Sequence, residues 1–248
     1  MSASVAPALE KRASLWEDFI DILYAPARVF ARRRGTGFGK PLLVVALLFG
    51  IVSAVSLPLT RPLLDRQVAQ QVEQMRRQGM NEEQIRSAQR FGEKIASFGA
   101  VGGALVGLLI GVPIAAAVLW GVARLFGAPL SYGDAGLAST YSVVPIIVFA
   151  VVGAALLAVM DADALPPLQQ MSVGPALLLD RDASPVLTAL LSRVGIGDLW
   201  SLVVTAIGVS VLGPMSRGRA AGVAVALWAL GTAFTVLMAL RASAAMDG

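Results

Sequence analysis

The chain has 248 residues, of which 56% are hydrophobic and only 15% charged, and its mean hydropathy is +0.74. Soluble globular domains average about 45–50% apolar and about 25% charged residues, so this composition predicts a polytopic membrane protein. The formal net charge is +4 at pH 7, and the chain contains neither cysteine nor histidine. It therefore has no disulfides, no zinc site with Cys or His ligands and no Ser-His-Asp triad, and we expect no metal and no cofactor.

The N-terminal segment, residues 1–40, combines an amphipathic pattern with a basic cluster. Apolar side chains recur there at intervals of three and four residues, as on one face of a helix; they are Leu15, Trp16, Phe19, Ile20, Leu23, Ala27 and Phe30. The basic residues at the C-terminal end of this pattern are Arg28, Arg32, Arg33, Arg34 and Lys40. Cations at a helix C-terminus complement its dipole and attract anionic lipids. We predict one helix in the cytoplasmic interface, bent at Pro26, that contacts membrane lipid and not nucleic acid.

Residues 41–240 contain five segments apolar enough to span a membrane, which predicts an all-α helical bundle. A spanning helix needs about 20 residues; the segments are 41–59, 98–123, 135–160, 199–213 and 220–240. The fourth is the shortest. None of the five contains Asp, Glu, Lys or Arg, which disfavours an ion-coupled carrier because such carriers usually place charges at mid-membrane. Residues 241–248 form a short tail.

The second span carries a glycine at every fourth position, in the stretch GAVGGALVGLLIG. Gly99, Gly103, Gly107 and Gly111 form a small-residue ridge that lets another helix approach closely. The approaching helix can belong to the same chain or to a second copy, and packing within the chain is the simpler expectation. Pro113 and Pro145 predict kinks in the second and third spans.

The loop 60–97 has the pattern of a helical hairpin. Leu64, Val68, Val72 and Met75 form one stripe, Gly79 ends it, and Asn81 with Gln84 forms a capping box. A second stripe follows, at Ile85, Ala88, Gly92 and Ile95. In the loop 161–198 we predict a short helix near SPVLTALLSRVG. We expect three acids at the span ends to be solvated loop carboxylates; they are Asp161, Asp163 and Asp198.

Lys and Arg are equally numerous in the loops on the two sides of this arrangement. Their density in the short turn at Arg217 and Arg219 favours a cytoplasmic N-terminus and an extracytoplasmic C-terminus. We predict a multi-pass protein of the inner (cytoplasmic) membrane, with the hairpin outside the cell.

Four stretches resemble, in order, the Yip domain family (Ypt-interacting proteins) of the bacterial type: FIDILYAPARVF, GAPLSYGDAGLASTYSVVPII, IGDLWSLVVTAIGVSVL and SRGRAAGVAVALW. The matching family positions are Pro26, Tyr141, Pro145, Asp198 and Trp200. The resemblance implies a non-enzymatic integral membrane protein with five spans and a cytosolic N-terminus. Eukaryotic relatives bind small GTPases, and this chain departs from them in its short basic N-terminus. Some bacterial members accompany exporters.

Two functions are compatible with these features. The first is an adaptor or accessory subunit that contacts another membrane protein, for example an exporter, or a second copy of itself. The alternative is a small permease or lipid-handling protein with a neutral pathway. The uncharged spans favour the adaptor, and no nucleophile with a suitable base can be assembled in the spans for an enzyme.

Overall fold

The computed structural model describes residues 14–99, 102–160, 172–180 and 183–247, and the regular structure in these ranges is helical. The α-helices are α1 (Leu15–Tyr24), α2 (Pro26–Arg33), α3 (Gly39–Arg77), α4 (Glu82–Gly99), α5 (Gly102–Leu125), α6 (Tyr132–Tyr141), α7 (Val143–Val159), α8 (Pro185–Ser192), α9 (Ile196–Leu212) and α10 (Arg217–Asp247). A short 3₁₀ turn covers Pro175–Leu178. The predicted all-α class is confirmed.

Four stretches of helix are long and apolar enough to cross a membrane, and a bent helix pair can supply a fifth. The four are Gly39–Arg61, Leu105–Leu125, Tyr132–Val159 and Arg217–Arg241. The pair is α8 with α9, which meet at 49°, so the segment predicted to be shortest is also the broken one. At most 22% of the apolar window of each of the four is buried inside the chain. Most of their surface therefore faces outward, as expected for helices solvated by lipid.

The two ends of the bundle can be identified from the residues that lie there. Arg34 donates a hydrogen bond to the Val211 carbonyl, and the Gly35 N–H donates to Asp134 Oδ1 at 3.2 Å. These bonds place the end of α2 beside the start of α6 and the end of α9. We call this end the N-terminal side. The opposite end, where α3 meets α4, is the hairpin side.

The N-terminal segment forms two helices rather than the single bent helix predicted. Pro26 begins α2 at a position where its missing N–H costs nothing, and Ser14 and Glu17 form a capping box for α1. Both helices pack on the bundle, α1 against α7 and α2 against α9 and α6. The predicted single apolar face is wrong, because packing divides it: Phe19 and Phe30 are buried with Ile22 and Val29, whereas Trp16 and Ile20 are exposed.

The predicted hairpin is confirmed as a helical structure, but its first arm is the direct continuation of the first span. Helix α3 has 39 residues and is thus about 58 Å long. Pro58 and Pro62 lie within it, at the end of the apolar stretch, and the Thr60 hydroxyl donates to the Ser56 carbonyl at 3.2 Å.

The hairpin turn uses the local signals that its sequence predicts. Gly79 adopts a φ of 77°, and the Met80 N–H donates to the Met75 carbonyl at 3.1 Å, which satisfies a carbonyl at the end of α3. Asn81 and Gln84 exchange backbone-to-side-chain bonds of 2.8 and 3.0 Å. The first stripe is half-buried at Leu64, Val72 and Met75 and exposed at Val68; in the second, Ile85 is buried and Ala88 exposed. Gly92 and Ile95 belong to α4, and their burial lies outside what the structure describes.

The second loop contains the predicted short helix as α8, whose N-terminus is capped by the Ser184 hydroxyl. Asp161 and Asp163 lie outside the described residues. Asp198 belongs to the first turn of α9.

Candidate functional site

A buried ion cluster joins the N-terminal helices to the bundle. The carboxylate of Asp18 is 0% exposed and is 2.5 Å from an Arg32 guanidinium nitrogen. Arg33 Nε donates to its other oxygen at 2.6 Å, and the Tyr141 hydroxyl donates to that oxygen at 2.9 Å. Both carboxylate oxygens therefore already accept hydrogen bonds from charged groups or a hydroxyl, and Asp18 has no free oxygen for another ligand. The cluster is a structural connection between α1, α2 and α6.

Tyr141 is the centre of an aromatic group around this cluster. Its ring lies 6.0 Å from the rings of both Phe19 and Phe30, measured between centroids, and the side chain is fully buried. Phe30 in turn faces Gly208 of α9, where an added Cβ would lie 2.9 Å from the ring. The family position Tyr141 thus contacts both N-terminal helices, through Phe19 and Asp18 of α1 and Phe30 of α2.

A second acid of α1 lies at the rim of the cluster. Asp21 is 2.7 Å from Arg32 and accepts a hydrogen bond of 2.5 Å from the Tyr24 hydroxyl. The Tyr24 bond, followed by Arg32, lowers the pKa of the Asp21 carboxyl, and the same bond raises the pKa of Tyr24. Asp21 therefore stays ionised beside Arg32 to lower pH than a free aspartate.

The five predicted lipid-facing bases have different surroundings. Arg32 and Arg33 point inward to Asp18, which the sequence interpretation did not foresee. Arg34 donates to the Val211 carbonyl in the last turn of α9, where a cation also complements the helix dipole. Among the five, Arg28 and Lys40 are exposed and have neither a described ion pair nor a described hydrogen bond to the bundle, and lipid contact by these two stays a prediction.

The glycine ridge does not pack within the chain. In the described residues, no atom of another element lies within 4 Å of a Cβ built at Gly103, Gly107 or Gly111. Gly99 is the last described residue of α4 and Gly102 the first of α5, and the two residues between them lie outside the described ranges, so the alignment of Gly99 with the other three glycines stays a prediction. Among the described residues the expected approach by another helix of the chain is not seen at Gly103, Gly107 and Gly111, and this face of α5 is open.

The open face borders a cavity of about 470 Å³ between the spans. Its wall comes from α3, α5, α6, α7, α9 and α10 and includes Phe49, Gly107, Gly111, Ser139, Thr205 and Leu227. Thr205 donates to its own helix, to the Ser201 carbonyl at 2.9 Å. Ser139 is only 7% exposed, and its hydroxyl has no hydrogen-bond partner among the described residues.

The two prolines have different settings. Pro113 lies inside α5, and its carbonyl accepts a hydrogen bond of 3.1 Å from the Tyr132 hydroxyl. Pro145 is the third residue of α7, just after the interruption at Ser142 that separates α6 from α7. A kink at Pro113 stays a prediction, whereas the third span is interrupted beside Pro145.

The remaining family positions lie near the break between α8 and α9. Asp198 pairs with Arg193 at 3.3 Å and is half-buried, so it is not the fully solvated carboxylate predicted. The Trp228 indole donates to the Arg193 carbonyl at 3.0 Å and ties α10 to this break. Trp200 is 39% exposed. In the described ranges, no group of three or more acidic residues is placed to hold a metal ion.

Sequence reasoning missed Asp18, Ser139 and Arg193. One signal for Asp18 was present: it shares the spacing of Leu15, Phe19 and Ile22, so a charge stands on the face that turns inward. No local signal marks Ser139, because its surroundings come from other spans.

The family model described as the Yip1 domain matches residues 20–238 of this chain. No curated protein and no solved structure matches it significantly. The matched range contains Tyr141 and the cavity and begins within α1.

Proposed function

The chain belongs to the Yip1 domain family, and we propose that it is a non-enzymatic adaptor or accessory subunit whose hairpin contacts another membrane protein. An exporter is one partner of this kind. The observation that carries the proposal is the hairpin itself, a capped pair of helices that extends beyond the apolar part of the bundle.

The hairpin has the geometry of a projecting arm. The candidate span within α3 ends at Arg61 and the helix continues to Arg77, which adds about 24 Å at 1.5 Å per residue. Helix α4 returns over 18 residues and makes its main contacts with its chain neighbours α3 and α5. An arm held mainly at its base adds little to the packing of the bundle, which supports a role outside it.

The surface of the arm is polar and carries both signs of charge. Arg76 pairs with Glu82 at 3.2 Å and Arg77 with Glu73 at 3.4 Å, and all four side chains are more than half exposed. Exposed pairs of this kind contribute little to stability. Mixed charges suit a partner recognised by electrostatic complementarity.

The alternative of a permease for polar solutes has less support. A neutral polar pathway needs hydroxyl or amide groups along its length, whereas the cavity wall in the described spans is mostly apolar. This wall fits a hydrocarbon better than a polar solute.

The adaptor proposal predicts crosslinking that depends on position. Because the chain lacks cysteine, Ser87→Cys on α4 can carry a photocrosslinker, and we expect it to capture one discrete membrane protein in cells. The double variant R86E/R90E should lower that yield about tenfold, as expected when charge complementarity of about 1.4 kcal/mol is lost. Arg241→Glu, an exposed charge at the end of the candidate span within α10, is the matched control and should leave the yield unchanged. The hairpin would be rejected as the contact if the Ser87→Cys protein gave the same yield with and without R86E/R90E. Crosslinking from Ser216→Cys alone would reject it as well.

The predicted orientation can be tested with the same cysteine-free background. Single cysteines at Ser87, Ser184 and Ser216 all lie at exposed positions. A membrane-impermeant maleimide added to intact cells should label the first two and spare Ser216, because the basic turn at Arg217 is expected in the cytoplasm. Labelling of Ser216 from outside would reverse the topology.

A further inference from the structure

We propose that the cavity between the spans binds an ester-linked acyl chain of a membrane lipid, whose carbonyl oxygen accepts a hydrogen bond from Ser139. The proposal goes beyond the adaptor function and is independent of it, since the cavity and the hairpin occupy different parts of the molecule.

The cavity has the size and lining of a lipid site. Its volume of about 470 Å³ falls within the range of about 300–1,000 Å³ usual for small-molecule pockets. Phe49, Leu108, Val112, Val143 and Leu227 make most of the wall apolar, and none of the described lining residues is charged. A hydrocarbon chain can pack against such a wall, whereas a charged headgroup would find no ion-pair partner inside the cavity.

Ser139 supplies the polar recognition when its hydroxyl, which is buried in the free protein, rotates toward the cavity. It is buried, it lies on the cavity wall, and its hydroxyl has no partner among the described residues. A buried hydroxyl without a hydrogen bond is unfavourable, and bulk water is absent from the hydrocarbon region. A ligand that presents an uncharged oxygen would remove this penalty.

The depth of Ser139 fits an ester oxygen. The third span, Tyr132–Val159, has 28 residues and is about 42 Å long, which matches a whole bilayer of about 40–45 Å with a hydrocarbon core of about 30 Å. Ser139 follows Tyr132 by seven residues, or about 10 Å. Counted along this span, the position is a few ångströms inside the hydrocarbon boundary, where acyl chains join the lipid backbone. Phe49 and Leu227, each near the middle of its span, place the rest of the cavity at the depth of the acyl chain.

The glycine face provides the entrance. Gly107 and Gly111 line the cavity and are exposed on the side of α5 that faces the surrounding lipid. With no side chain at these positions, an acyl chain can enter laterally and lie against the helix backbone. A second copy of α5 is the competing occupant of the same face, and the disulfide test below distinguishes it from lipid.

Photolabelling of the full-length protein in nanodiscs tests the proposal. The probe is a phosphatidylglycerol with a diazirine and an alkyne in one acyl chain, and a phosphatidylethanolamine with the same chain is run in parallel. We expect label in α5 and in the segment around Ser139, with similar yields for the two headgroups because the wall is uncharged.

Two variants and one control connect the label to the cavity. Gly107→Leu should fill the entrance and lower labelling about tenfold, and Ser139→Ala about fivefold, the usual effect of one hydrogen bond. Gly121→Leu is the matched control, because Gly121 is also free of contacts on α5 but lies away from the cavity. If Gly107→Leu prevents folding, the labelling of Ser139→Ala tests the proposal alone. This variant should fold, because removing an unpaired hydroxyl should not lower the thermal stability of the lipid-free protein.

Three results would overturn the lipid site. The first is equal labelling of the wild type, Gly107→Leu and Ser139→Ala. The second is strong preference for one headgroup, which would place the recognition outside the uncharged cavity. The third is efficient disulfide formation between two Gly107→Cys chains in membranes, which would assign the glycine face to a second copy. None of these outcomes depends on whether the hairpin captures a partner.

Discussion

Replacing Asp18 by asparagine is expected to lower the free energy of unfolding by about 3–5 kcal/mol, the loss typical when one partner of a buried ion pair is removed. Asparagine keeps the shape of the side chain but removes the charge that holds Arg32 and Arg33. It also weakens the acceptor for the buried Tyr141 hydroxyl. An SDS titration of the purified protein in mixed micelles, followed by tryptophan fluorescence, measures the change.

Asp21→Asn is the matched control for this experiment. The Asp21 carboxylate also contacts Arg32, at 2.7 Å, but it is 22% exposed and lies at the rim of the cluster. Pairs of this exposed kind contribute about 0–1 kcal/mol. If the two variants unfold at the same SDS concentration, burial of Asp18 does not have the importance assigned to it here.

Replacing Phe30 by alanine is expected to have a comparable effect, a loss of about 3–5 kcal/mol, as found for large buried aromatics. Its ring is fully buried between the Tyr141 ring and the backbone of α9 at Gly208. Without the ring, α2 loses its main apolar contact with α9. The same SDS titration measures the loss.

Phe234→Ala provides the comparison for Phe30, because it makes the same chemical change on α10 at a side chain that is 63% exposed. Exposed substitutions usually change stability by less than about 0.5 kcal/mol. A loss at Phe234 as large as that at Phe30 would show that detergent or lipid contact, and not packing on α9, governs the result.

The features that local rules determine could be predicted from the sequence. Gly79, Asn81 and Gln84 lie within a few residues of one another, so the end of α3 and the start of α4 follow from short-range hydrogen bonds. The spans follow from hydropathy and length. Membership of the Yip1 domain family also agrees with the order of the four resembling stretches.

The features that depend on distant residues could not be predicted. Tyr141 meets Asp18 across 123 positions of the chain, and the spacing of α1 alone does not tell whether its apolar face meets lipid or protein. The glycines of α5 show the same difficulty. Their spacing indicates a close approach by some other group, but it does not identify that group, and within the described chain the face is open.

The prolines of α3 have a consequence for the way the hairpin is attached. Pro58 and Pro62 lack backbone N–H groups, so two helical hydrogen bonds about one turn apart are missing where α3 leaves its apolar stretch at Arg61. Bending α3 there breaks fewer hydrogen bonds than bending it elsewhere along its interior. Under the proposed adaptor function, this is the place at which a bound partner bends the arm relative to the span most easily.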